Sequence, residues 1–421
     1  MLLSTKVYFY FYLATLTLLS IPAIKLTAGV GMSQVFVLML FFTLLVDNFL
    51  NKEMDYFILI FFIVGATIMA LISFNSMAGK MGEYKFIIKY FMIFPATYYI
   101  GSRLIPSLGI KKVILLLEIL VFIYCFNAFI INFAPIPKPI LDIFVSYREG
   151  FGGVKFLDYQ GTFFEAGWFG MAVFGLAMSA FLLRYEYNYW SKKNFLFYSL
   201  YGFIIISLFL SKNKTIWIAL IIILLVLTFV KIFVTLIYSN RYMPKSLELK
   251  NHILKLLAHI DVLKIIMLIF LFITLFFVIN NSLDHPIITA EMLKEKMEKE
   301  RGKVFIIVMG MLKDTNYFGG YGFGFVESYF STYDMDVIGL GKGSGMLFNS
   351  YLDIWLSASI FGLIFHILLI AISMSTKNYL SLSLPIFCAV FGNFNPATGI
   401  LFYYFLLGLS YSVARESSKT I

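Results

Sequence analysis

Charged residues are scarce in this chain. Only 13% of its 421 residues are Asp, Glu, Lys or Arg, where soluble domains carry about 25%. With 61% hydrophobic and 19% aromatic residues, a water-soluble fold of this length has nowhere to bury its apolar surface. Cysteine is nearly absent. Cys125 and Cys388 both fall inside apolar runs and read as small buried hydrophobes, which excludes a disulfide framework and a CxxC metal site. The chain has four histidines and no histidine cluster, no HExxH and no GxSxG. Its glycine-rich stretch is followed by no GKS or GKT, so it is not a phosphate-binding P-loop. Internal repeats and low-complexity linkers are also lacking. The formal charge of +10 does not point to nucleic acid, because the basic residues flank apolar runs and no basic patch with interleaved aromatics lies on a polar domain.

Long hydrophobic runs make up most of the rest. A membrane-crossing helix needs about 20 mostly apolar residues. Runs of that kind lie near 7–27, 30–50, 55–75, 85–103, 111–133, 162–183, 194–211, 214–237, 262–281, 346–374, 378–394 and 397–414. The last two are separated only by a short turn containing Asn393, Asn395 and Pro396. The pattern predicts an all-α polytopic membrane protein of about twelve transmembrane helices, with one long and one medium outer loop. The first run is too long for a signal-peptide core and lacks a small-x-small cleavage site, so it is expected to remain as the first helix.

Orientation follows from Lys and Arg in the short loops. With the N-terminus inside, the inner segments hold 16 positive charges, from Lys6 through Arg103, Arg184, Arg241 and Arg415 to Lys419. The short and medium outer loops hold 8, including Lys138, Arg148, Lys212 and Lys214. Both termini are therefore expected in the cytoplasm. The predicted organisation is helices 1–9 over 1–281, including an outer loop at 134–161, then a long outer loop at 282–345, then helices 10–12 and the C-terminus over 346–421. Loops of such length usually carry function. The long one opens with a charge-dense helical stretch, Glu291 to Arg301, in which Glu295 and Lys299 stand four apart. The apolar stretch Val304 to Leu312 follows, too short to span.

The chain uses 27 Lys but only 6 Arg. Four of the six are cytoplasmic in this topology; the other two, Arg148 and Arg301, stand one in each long outer loop. The guanidinium fork binds phosphate or carboxylate in a two-pronged geometry that Lys does not reproduce. These two arginines therefore point to an anionic ligand outside, or else to local ion pairs with Glu149 and Glu298. Ionisable groups inside membrane spans are costly and suggest function. Glu165 and Asp353 lie just inside the sixth and tenth helices, both of which start at the outer face. Each is a candidate general base for a hydroxyl, or a hydrogen-bonded structural carboxylate. Glu118 and His366 lie toward the inner side and read as structural, and Lys89 and Lys231 as snorkelling to an interface. Lys212 and Lys214, in a tight outer turn, add positive charge to the same face or simply end helices. Gly319, Gly320, Gly322 and Gly324 permit close backbone approach. Asp334-Met335-Asp336 has the DxD spacing of metal-dependent sugar-nucleotide transferases, but nothing nearby completes a metal shell.

Several segments together resemble a known family. Ser211-Lys-Asn-Lys-Thr-Ile-Trp-Ile-Ala-Leu220 is similar to the "SRT…L" helix start of bacterial O-antigen polymerases and ligases. Gln160-Gly-Thr-Phe-Phe-Glu-Ala-Gly-Trp-Phe-Gly170 resembles the segment opening a preceding helix in those polymerases. Arg301 with Gly319-Gly-Tyr-Gly-Phe-Gly324 is similar to their long-loop "R…GyGfG", and Asn349-Ser-Tyr-Leu352 to the "HNxyL" that opens the next helix. The likeness covers roughly 145–375, and the order of the segments carries more of it than any one of them. Departures are visible. The ligases have a His before that Asn; here the residue is Phe348, which favours a polymerase. Lys214 stands where the family has Arg, keeping the charge and losing the fork. The polymerases are described with an Arg and a Gly separated by ten residues. Arg148 and Gly161 are separated by twelve, so that motif is not matched.

The resemblance implies a metal-independent glycosyltransferase without a cofactor, in the inner membrane of a bacterium, with its site facing the periplasm. It would transfer a glycan chain from undecaprenyl diphosphate onto a repeat unit carried by the same lipid. Its partners would be these undecaprenyl-diphosphate-linked oligosaccharides, the lipid bilayer and a chain-length regulator, with no nucleic acid. Arg148 and Arg301 are expected at the diphosphate with Lys212 and Lys214, and Glu165 as the base. Asn349, Tyr351, Tyr321 and Asp353 are the expected substrate contacts. The rivals are an O-antigen ligase, disfavoured by the missing His, and a lipid-linked oligosaccharide flippase. A flippase would more often show internal repeats and has no need of the long outer loop.

Overall fold

The computed structural model describes residues 3–21, 25–27, 30–75, 89–145, 148–149, 155–156, 159–163, 166–189, 195–239, 302–316, 318–323, 325, 349–375, 378–395 and 400–419. The expected ninth run, 262–281, lies outside them. Helices occupy the other eleven apolar runs: α1 (Thr5–Leu19), α2 (Met32–Leu50), α3 (Tyr56–Asn75), a π-helical turn (Lys89–Ile93) leading into α4 (Phe94–Ser102), α6 (Ile110–Phe133), α8 (Ala166–Glu186), α9 (Phe195–Leu210), α10 (Lys214–Ser239), α12 (Ser350–Ile372), α13 (Tyr379–Phe394) and α14 (Leu401–Lys419). Three short helices join them: α5 (Leu104–Leu108), α7 (Lys138–Phe144) and α11 (Gly302–Asp314). The only strands among the described residues are two antiparallel pairs, β1 (Lys25–Thr27) with β2 (Val30–Gly31) and β3 (Arg148–Glu149) with β4 (Lys155–Phe156).

The chain is an all-α membrane protein. Helices α2, α6, α8 and α12 are each long and apolar enough to cross a bilayer, and α3, α9, α10 and α13 contain shorter apolar helices. One face of α3 exposes Phe57, Ile60, Ile63, Val64 and Leu71, each more than half accessible. A soluble monomer does not leave so continuous an apolar stripe bare, whereas lipid is its natural cover.

Some boundaries differ from the sequence expectation for local reasons. The first run stops at Leu19, with Ser20 closing the helix, because the residue before Pro22 is disfavoured in helical geometry. The 85–103 run is interrupted by the π-helical turn, and α4 begins with Pro95 in its first turn, where a missing N–H costs nothing.

Lipid tails are as apolar as the helices, so hydrophobic burial does little to drive helix pairing in the bilayer. Close packing and interhelical hydrogen bonds take over. Both are concentrated around α4 and α14, the most extensively packed pair. A Cβ on Gly101 would sit 2.9 Å from the Leu409 nitrogen and against the Phe405 carbonyl. One on Gly408 would sit 2.9 Å from the Ser102 nitrogen and against the Tyr98 carbonyl. Only two hydrogens let these backbones touch. Around them Tyr12 donates to the Ile100 carbonyl (3.1 Å), Tyr124 to Leu16 (2.6 Å) and Ser410 to Ser373 (2.7 Å), while the Tyr98 and Ser373 hydroxyls meet at 3.0 Å.

Polar groups gather at both ends of the bundle. At one end lie the start of α1 and the end of α14. There Tyr8 donates to Asp47 (3.0 Å), Arg103 pairs with Glu53 (3.1 Å) and Asn48, and Arg415 and Tyr411 both engage Asp55. Arg184 closes a two-pronged pair on Glu118 at 2.5 and 2.7 Å. The three described arginines of the group expected inside are thus all held by carboxylates, and Glu118 is the partner of one of them.

Candidate functional site

The opposite end of the bundle carries a chain of short polar side chains. Asn349 caps α12: its Oδ1 accepts from the Tyr351 and Leu352 backbone N–H groups at 2.9 and 3.0 Å. Its Nδ2 donates across to α13, to the carbonyl and the side-chain oxygen of Asn393, both at 3.1 Å. The next residue, Ser350, donates to the Asn395 carbonyl at 2.8 Å. Asn395 in turn donates to Thr215 Oγ1 at 2.9 Å. The Thr215 amide is capped by Asn213 Oδ1 at 3.0 Å, and Asn213 Nδ2 points to the Ala166 and Gly167 carbonyls at 3.4 and 3.3 Å. Upstream of α8, Gln160 donates to the Phe163 carbonyl (3.0 Å) and Thr162 to Ser20 (3.4 Å).

Four helix ends are tied together in this way: the starts of α8, α10 and α12 and the end of α13. Helix N-termini carry a partial positive charge, although here the Asn349 and Asn213 oxygens already occupy N–H groups of α12 and α10. Three such N-termini converge where the chain also places Lys212 and Lys214. Lys212 is exposed and holds a left-handed backbone, φ 52°, in the turn between α9 and α10. Lys214 is half-buried as the first residue of α10. The combination suits an anion.

The remaining expected site residues are placed as follows. Asp353 is half-buried in the first turn of α12, where a carboxylate complements the helix dipole, with the Ser357 hydroxyl 3.5 Å away. Tyr351 donates to the Ala389 carbonyl (2.9 Å), and its ring meets the edge of His366. His366 stacks on Tyr403 and shares a 2.8 Å hydrogen bond with its hydroxyl. Tyr321 donates to the Met311 carbonyl (3.1 Å) and stacks on Phe325. Burial, reinforced by the nearby Asp314 carboxylate, holds its phenol above the ordinary value. Arg148 lies in β3 with Phe156 opposite. Arg301 and Glu165 lie outside the described residues, one position before α11 and α8 respectively; Gly324, Phe348 and the DxD stretch lie outside them too.

Helix α12 departs from the single span expected at 346–374. Ala358 (φ −119°, ψ 18°) and Ser359 (φ 64°, ψ −177°) are not helical. The half before them folds back on the half after them. A Cβ on Gly362 would lie 3.3 Å from the Ile354 side chain, and the Tyr351 and His366 rings are 5.7 Å apart. A straight helix would separate those pairs by about 12 and about 22 Å along its axis. Length and composition alone therefore overstate α12 as one crossing helix. Beneath the fold lies a small apolar cavity lined by Phe62, Met69, Tyr90, Phe365, His366 and Tyr404 among others.

Sequence reasoning did not find Asn213, Thr215, Asn393 and Asn395 as the members that join these helix ends. The signals were the pair of asparagines at the turn after the eleventh run and the Ser211–Leu220 stretch, which contains Asn213 and Thr215. No group of three or more metal-ligating side chains occurs among the described residues. No protein-family model and no curated protein matches the chain.

Proposed function

We propose that this protein is a polysaccharide polymerase of the O-antigen type. It would elongate a glycan at the periplasmic face of a bacterial inner membrane, with both termini in the cytoplasm. The observation that carries the reading is the hydrogen-bonded chain from Asn349 through Asn395 and Thr215 to Asn213. It draws together parts of three of the four segments behind the family resemblance, at 166–167, 213–215 and 349–350.

The chemistry follows from the charges. A hydroxyl of the acceptor repeat unit attacks the anomeric carbon of the donor glycan. The bond from that carbon to the diphosphate oxygen breaks, and undecaprenyl diphosphate leaves with the electron pair. Cations held beside the leaving diphosphate would stabilise the charge that develops there. Arg148, Arg301, Lys212 and Lys214 take that role in this reading. Glu165 accepts the hydroxyl proton. Asn349, Tyr351, Tyr321 and Asp353 line the substrate side.

The direct test is reconstitution of the purified protein in liposomes with undecaprenyl-diphosphate-linked repeat units as the only substrate. Polymer and free undecaprenyl diphosphate should appear together. Vesicles in which the repeat units change leaflet without any polymer would assign the protein to transport instead.

A further inference from the structure

The break in α12 is filled from elsewhere in the chain. Unwinding at Ala358–Ser359 leaves the carbonyls of the preceding turn without helical donors, which is tolerated at membrane depth only where protein supplies others. The donors come from the glycine-rich segment. The Tyr321 N–H bonds the Leu356 carbonyl at 2.7 Å and the Gly322 N–H bonds Ser357 at 3.0 Å. The Ser359 hydroxyl restarts the helix by accepting from the Phe361 N–H at 3.2 Å. Next along the segment, Phe323 is buried, stacked on Tyr90 with centroids 4.1 Å apart and packed beside Met69, Ile354 and Ala358. Helix α11 leads directly into the segment, and its Val308 and Leu312 pack on Leu356 and its neighbours Leu352 and Trp355.

Gly320 sits at the tightest point. A Cβ there would lie 2.5 Å from the Ser359 nitrogen and 3.1 Å from the Ser357 carbonyl. Both are backbone atoms in a strained turn, with a non-glycine residue at positive φ, so neither has an easy way to yield. The half-helix they hold begins with Asn349, Tyr351 and Asp353.

We infer that Gly320 is a positioning residue. By seating residues 319–323 in the break of α12 it fixes the folded-back half Ser350–Ser357, and with it the Asn349 end of the candidate site. The outer segment and the site residues then move as one unit, hinged at Ala358–Ser359. The consequence for turnover rests on the polymerase reading; the seating itself does not.

The test uses full-length protein in lipid nanodiscs and liposomes, with hydrogen–deuterium exchange and polymerisation kinetics read on the same variants. In the unmodified protein the Tyr321 and Gly322 amides should exchange at least tenfold more slowly than the exposed Asn316 region. Gly320→Val should remove that protection and loosen 350–357, leaving α6 and α8 unchanged. Its KM for the lipid-linked repeat unit should rise tenfold or more. Gly320→Ala adds the Cβ alone and should shift both readouts in the same direction if Gly320→Val does not accumulate. Gly310→Ala, in open space on α11, should behave as the unmodified protein. Unprotected amides in the unmodified protein would overturn the seating. Lost protection with KM unchanged and only the active fraction reduced would overturn the positioning role. Protection as described in a protein that makes no polymer would sink the polymerase reading and leave the seating standing.

Discussion

Asn349 and Asn393 are joined by two hydrogen bonds of 3.1 Å, made by one amide nitrogen that belongs to the residue capping the next helix. One side chain therefore does two things: its oxygen starts α12 and its nitrogen fastens that start to the end of α13. Substitutions can separate the two. Asn349→Asp keeps the capping oxygen and loses the donor, whereas Asn349→Ala loses both. Loss of a cap costs about 1–2 kcal/mol, so thermal unfolding in detergent should rank the native residue above Asp and Asp above Ala. Both variants should shorten the polysaccharide, because both release the α12 start from α13. Equal melting of Asp and Ala would show that the cap contributes nothing.

The α4–α14 contact makes a prediction about folding alone. Gly408→Val places a branched side chain against the Tyr98 and Ser102 backbone. Overpacking costs about 1–3 kcal/mol where side chains can shift, and here the obstruction is main chain. The variant should disappear from the membrane fraction or elute as aggregate in size-exclusion chromatography. Gly202→Ala, which meets nothing, should accumulate normally.

The ion pair at the other end is expected to be structural. Both Arg184 and Glu118 are mostly buried, and the pair is two-pronged. Glu118→Gln should lower stability by about 2 kcal/mol, the scale of a hydrogen bond to a charged group. Arg184→Lys should not be neutral, since an ammonium cannot match both carboxylate oxygens. Whatever protein remains folded should make polymer of normal length, measured at matched protein level.

Arg301 and Glu165 make the sharpest chemical predictions. If Arg301 grips a diphosphate with its fork, Arg301→Ala and Arg301→Lys should both reduce turnover by a hundredfold or more at normal protein levels. Glu165→Gln should do the same if that carboxylate takes the proton, since general-base catalysis contributes about 10²- to 10⁴-fold. Full product length in any of these variants removes that residue from its assigned role.

How much was legible in the sequence depended on whether the cause was local. Helices such as α2, α6 and α8 are announced by apolar runs of spanning length; the end of α1 carried a signal in Pro22, but the run was read on to 27. The break in α12 is not announced. Ala358 and Ser359 include neither glycine nor proline, and the missing donors come from a segment 35 residues earlier, Tyr321 to Leu356 and Gly322 to Ser357. The glycines at 319–322 were readable as a place of close backbone approach; that the approach at Gly320 is to α12 was not. In the candidate site, Asn349 was legible through the family resemblance, and Lys212 and Lys214 as cations in a tight turn between apolar runs. Asn393 and Asn395 were not, because a turn asparagine acquires its partner only when α13 meets α10 and α12.

The measurement that tests the central claim most directly is deletion of the gene in its native bacterium, with the lipopolysaccharide resolved on a gel. The account predicts loss of the long ladder, with a single repeat unit still attached to the core and the ladder restored by the gene in trans. Bare core without any repeat, or an unchanged ladder, would contradict it.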